Sequence, residues 1–215
     1  MIAKPLFLVL NWTSDHLAHN YGWSIVLVTL AINMLLFPLK ITSMKSSKKM
    51  QALQPQIKAI NEKYKGLSMK DPKKAEQNQE VMDLYKKNGV NPVGGCLPML
   101  LQMPIFLALW SMLNAVFELR HAPFFGWIVD LSARDPYFIY PVLMGVSMFA
   151  QQAITPAVGD PAQRKMMLVL MPAMMTFFFY RSPAGLTIYY FVFNMIGLAQ
   201  TWWIMRSYQP QAITL

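Results

Sequence analysis

The chain has 215 residues, of which 55% are of hydrophobic type and 13% are charged, with a formal net charge of +9. A soluble domain usually carries about 25% charged residues, so the deficit argues against an ordinary water-facing surface and for a protein that faces lipid. The excess of positive charge suits anionic partners such as lipid headgroups, RNA or acidic peptide segments, and the single cysteine, Cys96, excludes an intramolecular disulfide.

Residues 1–21 hold only a short apolar run after Lys4 and no small-residue cleavage site, so they do not read as a signal peptide. Leu6, Leu10 and Leu17, with Trp12, form one face of a helix lying in the membrane interface. Charge-free stretches at residues 22–39, 93–116, 137–153, 166–180 and 184–205 then mark five spans, read as residues 22–40, 92–116, 137–153, 161–180 and 184–205. Spanning a hydrocarbon core takes about 20 apolar residues. The fourth span is short and is extended by Asp160 as N-cap and Pro161 at the first helical position. Its apolar length still favours local bilayer thinning.

Residues 41–91 are polar and basic and read as an antiparallel helical hairpin. Met50, Leu53, Ile57, Ile60 and Tyr64 recur at 3-4-3-4 spacing and form a narrow apolar seam. Pro55 should kink or split that helix, and Gly66 should stop it. Asp71 and Pro72 open the second helix, whose apolar face is Val81, Leu84 and Tyr85. Residues 117–136 form an outer loop and residues 206–215 a tail. The expected fold is thus an all-α integral membrane protein: five transmembrane helices, a cytoplasmic antiparallel hairpin and an N-terminal interfacial helix. With the N-terminus outside and the C-terminus inside, fifteen of the 19 basic residues fall on the inner side. The positive-inside rule therefore fixes that orientation.

Polar side chains inside spans are costly and tend to face a cavity or one another. Thr29 and Asn33 lie one turn apart on the first span, with Lys40 two turns further. Gln102 is on the second span, and Tyr189, Tyr190 and Asn194 are on the fifth. For Ser111, Ser147, Gln151, Gln152 and Gln200 plain helix–helix hydrogen bonding or an interfacial position is the favoured reading. No span contains Asp or Glu, which argues against a carboxylate proton relay. Methionines in the spans, such as Met34, Met99 and Met103, read mostly as core or lipid-facing filler.

Asp15, His16 and His19 read as an exposed interfacial turn rather than a metal site. There is no P-loop, no G-x-S-x-G and no H-E-x-x-H. No catalytic residue, cofactor or metal is expected, and the chain does not read as an enzyme.

Four stretches carry a family likeness. They are Met50-Gln-Ala-Leu-Gln-Pro-Gln-Ile57, the run from Asn91-Pro-Val-Gly-Gly-Cys96 to Leu109, the series Glu118-Leu-Arg, Asp130-Leu-Ser, Asp135-Pro-Tyr and Pro141-Val-Leu-Met-Gly145, and Ser182-Pro-Ala-Gly-Leu-Thr-Ile-Tyr-Tyr190. In this order and spacing the chain resembles the YidC/Oxa/Alb family of membrane insertases over nearly its whole length. The resemblance implies an insertase core in the bacterial inner membrane, with a hydrophilic inner-leaflet groove closed on the outer side. It implies nascent membrane-protein clients, the ribosome, the Sec translocon and anionic lipids as partners, and no small-molecule substrate or nucleotide. By position it makes Gln102, Tyr189 and Tyr190 groove or client-contact residues. The chain begins at the interfacial segment, so a fragment or a short form is expected. The family usually carries arginine five residues before the Pro-Leu pair. Here that pair is Pro38-Leu39 and the position is Asn33, so Lys40 is expected to supply the groove's charge from nearer the cytoplasm. A small-solute channel or transporter, or a lipid scramblase, is the alternative function.

Overall fold

The computed structural model describes residues 3–65, 71–91, 97–115, 121–156 and 164–207, all in helices and connecting turns, with no strand among them. The Gly66 stop and the Asp160–Pro161 helix start lie outside the described residues. Helix α1 (Ala3–Thr13) ends in a π-turn (Ser14–Ala18), and His19 closes it in the left-handed region with φ 50°. Helix α2 (Tyr21–Leu35) is capped by Asn20, whose side-chain oxygen accepts from the Gly22 and Trp23 amides. This satisfies two donors that a helix start otherwise leaves orphaned.

The first span read from sequence is not one straight helix. It breaks at Leu36, and the chain continues as α3 (Phe37–Ala52) at 57° to α2. Pro38 is the cause. It lacks an amide hydrogen, and its ring collides with the carbonyl four residues back. Pro55 acts in the same way, ending α3 at Leu53 before α4 (Gln54–Lys63) begins. Helix α5 (Lys73–Lys87) starts with the Asp71 carboxylate accepting from the Lys73 amide at 3.0 Å. Helices α4 and α5 pack together, with Met50, Leu53, Ile57, Tyr85 and Val90 buried between them and Val81 and Leu84 at the margin. Met50, Leu53, Ile57 and Tyr64 of the spacing-derived seam are buried, and Ile60 is half-buried.

The remaining helices are α6 (Leu97–Ala115), α7 (Ile139–Ile154), a π-turn (Met166–Leu170) leading into α8 (Met171–Phe179), and α9 (Ala184–Ser207). Helix α9 is central: it packs most extensively on α7 and next on α2. Gly145 lets α7 approach α8 so closely that any Cβ there would overlap the Thr176 side chain.

Solvation is inverted relative to a water-soluble protein. Ser24, Thr29, Asn33, Ser147, Thr187, Asn194 and Thr201 are buried, whereas Leu27, Leu35, Leu107, Val146, Phe177 and Trp203 are exposed. Large contiguous apolar exposure is rare on soluble monomers. Among the described residues no single helix is long and apolar enough to cross a membrane; the bent pair α2–α3 passes that test together. Helix α9 misses it because its inward face carries hydroxyls and amides.

One end of the bundle is sealed. Residues 121–138 fold over it and bury Ala122, Ile128 and Leu131 against Leu10, Ile25, Met112, Phe179 and Leu186. The Ala184 and Gly185 amides, at the start of α9, donate to the Ala133 and Leu131 carbonyls at 2.6 and 2.9 Å. Asp135 is 2% exposed; its carboxylate accepts from Trp127 Nε1 and from the Tyr137 and Tyr140 amides. A buried charge is tolerable only with such satisfaction. The Asn20 amide ties α2 to this seal by donating to the Pro123 carbonyl at 2.9 Å, and Gly22 leaves room for the Phe124 ring.

Candidate functional site: a polar cavity beside helix α9

Away from the seal, the interior becomes polar. A cavity of about 60 Å³ is lined by Asn33, Leu36, Leu39, Lys40, Gln102, Phe193 and Gln200. That is room for a few water molecules. Three of the sequence-derived candidates, Asn33, Lys40 and Gln102, meet here. The proline-induced bend brings Lys40 in, because α3 turns toward α9 instead of continuing the line of α2.

The Lys40 ammonium donates to the Gly197 carbonyl at 3.1 Å and to Gln200 Oε1 at 3.2 Å. Gln200 in turn donates to the Asn33 carbonyl at 3.3 Å. The Asn33 side chain does not reach across the cavity. It donates to Thr29 O at 2.9 Å, while the Thr29 hydroxyl donates to Ile25 O at 2.6 Å. Both therefore satisfy their own helix, one turn back, and Thr29 is buried above the cavity beside a void of only about 10 Å³ that Tyr189 also lines.

Gln102 donates to the Tyr189 hydroxyl at 2.6 Å, joining α6 to α9, and its amide also lies close to the Tyr190 hydroxyl. The Tyr190 ring is held by Phe106, Phe179 and Tyr189, with centroids 5.6, 5.0 and 5.5 Å away. It belongs to this aromatic cluster and does not line the cavity. Asn194 is buried, and its side-chain amide nitrogen has no hydrogen-bond partner among the described residues.

Sequence reasoning read Gln151 and Gln200 as helix–helix hydrogen-bonding or interfacial residues, and both do bond between helices, within this network. Gln200 bridges Lys40 and Asn33, and Gln151 donates to the Thr201 hydroxyl at 2.9 Å while its Oε1 stays buried without a partner among the described residues. It missed Gly197 altogether. The available signal was a glycine inside a helix, which costs about 0.5–1 kcal/mol relative to alanine unless something needs the space. Among the described residues the acceptors on the Lys40 ammonium are neutral, and α2, α3, α6, α7 and α9 contain no Asp or Glu. Asp15, His16 and His19 lie elsewhere. Asp15 accepts from Asn11, and the His16 ring stacks on Trp12 at 5.1 Å.

Comparison with known proteins places this geometry. The family model described as 60Kd inner membrane protein matches residues 12–211. A membrane protein insertase YidC from Campylobacter jejuni subsp. jejuni is 50% identical over 211 residues, covering 98% of this chain and 38% of that protein. The membrane protein insertase YidC of Nitrosococcus oceani is 45% identical, covering 98% and 37%. The chain thus spans less than two fifths of the length of these relatives. A crystal structure of active YidC insertase with its first transmembrane domain resolved matches with a TM-score of 0.71 and 33% identity, over 94% of this chain and 46% of that one. With a family model matching nearly its whole length, the chain belongs to the 60Kd inner membrane protein family.

Proposed function

We propose that the chain is the insertase core of a bacterial inner-membrane protein, which inserts and folds transmembrane segments without nucleotide hydrolysis. The observation that carries this reading is the Lys40 ammonium on a polar cavity with only neutral acceptors around it. The similarity to insertases supports it. In this reading the spans are α2, α6, α7, the π-turn with α8, and α9. The sealed end faces outward, and the lysine-rich α3–α5 region faces the cytoplasm, the ribosome and anionic lipid. The Sec translocon is a further partner.

The physical task is to lower a barrier. A charge at the centre of a bilayer costs about 2.5–3.5 kcal/mol on insertion scales. A polar cavity reached from one leaflet shortens the dry path. The helical segment Met166–Phe179 is about 21 Å long at 1.5 Å per residue, against a core of about 30 Å, and so favours a thin bilayer there. Lys40 attracts acidic residues of the client's tail. The client's apolar segment then leaves for lipid, and its partitioning drives the step. Asn33, Lys40 and Gln102 line the cavity that receives the tail, and Thr29, Tyr189, Tyr190 and Asn194 form the polar and aromatic layer packed behind it.

The test is reconstitution in liposomes with a single-span client bearing an acidic tail, scored by protease protection. Wild type should protect the tail. Lys40→Ala should lower protection and Lys40→Glu should lower it further, with Asn33→Ala mild. Normal insertion by both Lys40 variants would reduce Lys40 to a headgroup anchor. Ion or lipid flux without client insertion would favour a channel or a scramblase instead.

A further inference from the structure

We propose that Gly197 is the positioning residue for the Lys40 ammonium: its missing side chain opens a notch in α9 where the cation docks on neutral acceptors and stays available to a carboxylate of an acidic client segment. This rests on the insertase reading above.

The geometry is specific. A Cβ built on Gly197 would lie 3.2 Å from Lys40 Nζ and 3.4 Å from Gln151 Oε1. The two groups thus flank the space that any other residue would fill. The same notch exposes the Gly197 carbonyl, which accepts from the ammonium at 3.1 Å in addition to its place in the helix. Gln151 is fixed by its bond to Thr201, which leaves Oε1 buried, without a partner among the described residues, and turned to the notch. An ammonium has three protons. Gly197 O and Gln200 Oε1 take two, and the third is left for Gln151 Oε1 or for an incoming acceptor.

The choice of acceptors matters. A carboxylate in the notch would neutralise the lysine and compete with a client. Carbonyl and amide oxygens orient the cation without cancelling its charge. A glycine is unfavourable in a helix interior, so its presence where a cation and an amide oxygen converge fits a close approach that a side chain would prevent.

The experiment compares Gly197→Ala and Gly197→Leu, each with Lys40 and with Lys40→Ala, in the liposome assay. The clients are a single-span protein with an acidic tail and its twin with the acidic residues changed to glutamine. Gly197→Ala requires only a few tenths of an ångström of adjustment and should be mild. Gly197→Leu should reduce insertion of the acidic client several-fold, to the level of Lys40→Ala, with no further loss in the double variant and little effect on the neutral twin. Asn33→Arg, which puts a cation on the same cavity wall without using the notch, should restore the Gly197→Leu variant.

A second readout concerns the protein alone: amine acetylation of Lys40, quantified by mass spectrometry. Acetylation should rise in Gly197→Leu as the ammonium leaves its dock. Equal losses for both clients, or equal losses with and without Lys40, would make Gly197 a packing residue only and overturn the proposal. So would unchanged Lys40 acetylation. If wild type inserts nothing but Gly197→Leu still exposes Lys40, the insertase reading fails while the positioning role stands.

Discussion

Gln102 and Tyr189 form a 2.6 Å hydrogen bond between α6 and α9 at the boundary between the packed apolar core and the polar cavity. Tyr189 is only 2% exposed, so its hydroxyl depends on this partner. Removing one partner leaves the other unsatisfied, at a cost of about 1–3 kcal/mol, whereas replacing both with apolar groups can be nearly neutral. Tyr189→Phe and Gln102→Leu should each lower stability in detergent, and the double variant should be more stable than the sum of the two predicts. Thermal unfolding of the four proteins measures the coupling. Simple additivity would mean that the bond does not join the helices.

The seal should depend on Asp135. Its carboxylate takes three donors, two of them backbone amides of the segment that opens α7. Asp135→Ala takes the acceptor from all three part-buried donors and should cost about 1–3 kcal/mol. Asp135→Asn keeps one acceptor oxygen and should fall between. Limited proteolysis should cut residues 121–138 faster in the order wild type, Asn, Ala. Equal cutting in all three would remove the carboxylate from the account of the seal.

How much of this was legible in the sequence varies with the physics of each part. The seam of Met50, Leu53, Ile57 and Tyr64 was readable because packing in a helix pair needs only periodic spacing. The Pro55 break was readable because proline acts through its own backbone. Pro38 acts by the same rule, yet it sits among apolar residues, and the absence of charge masked a bend that decides where Lys40 points. Asn33, Gln102 and Tyr190 stood out as polar groups without an acidic partner; Asn33 and Gln102 line the cavity with Lys40, whereas Tyr190 sits in the aromatic cluster. Gln151 and Gln200 were legible as helix–helix hydrogen bonders but not as neighbours of Lys40, and Gly197 was not legible at all, because these placements arise from contacts between helices more than forty residues apart in the chain. Local spacing carries no trace of such contacts.

The α4–α5 pair should respond to pH through Glu80. Its carboxylate accepts from Lys63 at 2.6 Å and from the Tyr64 hydroxyl at 2.8 Å. These bonds, that from Lys63 first, hold the Glu80 pKa below its ordinary value, and the bond to Glu80 raises that of Lys63. A depressed carboxylate contributes stability that is present above its unfolded pKa and lost as pH falls through its folded one. A raised lysine contributes stability that is present below its unfolded pKa and lost as pH rises through its folded one. The clasp should therefore hold across neutral pH and weaken at both extremes. The pair is exposed, so the effect is small. Hydrogen exchange of α4 and α5, corrected for intrinsic rates, should show extra opening below the carboxylate range in wild type and none in Glu80→Gln. The same pH response in both proteins would assign it to other groups.

The contact between α7 and α8 offers a test of close packing. Gly145 faces the Thr176 side chain so closely that a methyl group cannot be added without displacing it. Thr176 is not free to turn at no cost, because its hydroxyl donates to the Pro172 carbonyl at 2.8 Å. Gly145→Ala adds helix propensity worth about 0.5–1 kcal/mol, but overpacking costs about 1–3 kcal/mol, so overpacking wins and the variant should be less stable. Thr176→Ala removes the obstructing hydroxyl and methyl. In that background Gly145→Ala fills the vacated space, and the sign should reverse to stabilising. Thermal unfolding of the two single variants and the double decides it. If Gly145→Ala destabilises equally in both backgrounds, the helices are held apart by something other than the Thr176 side chain, and the close approach does not depend on the missing Cβ.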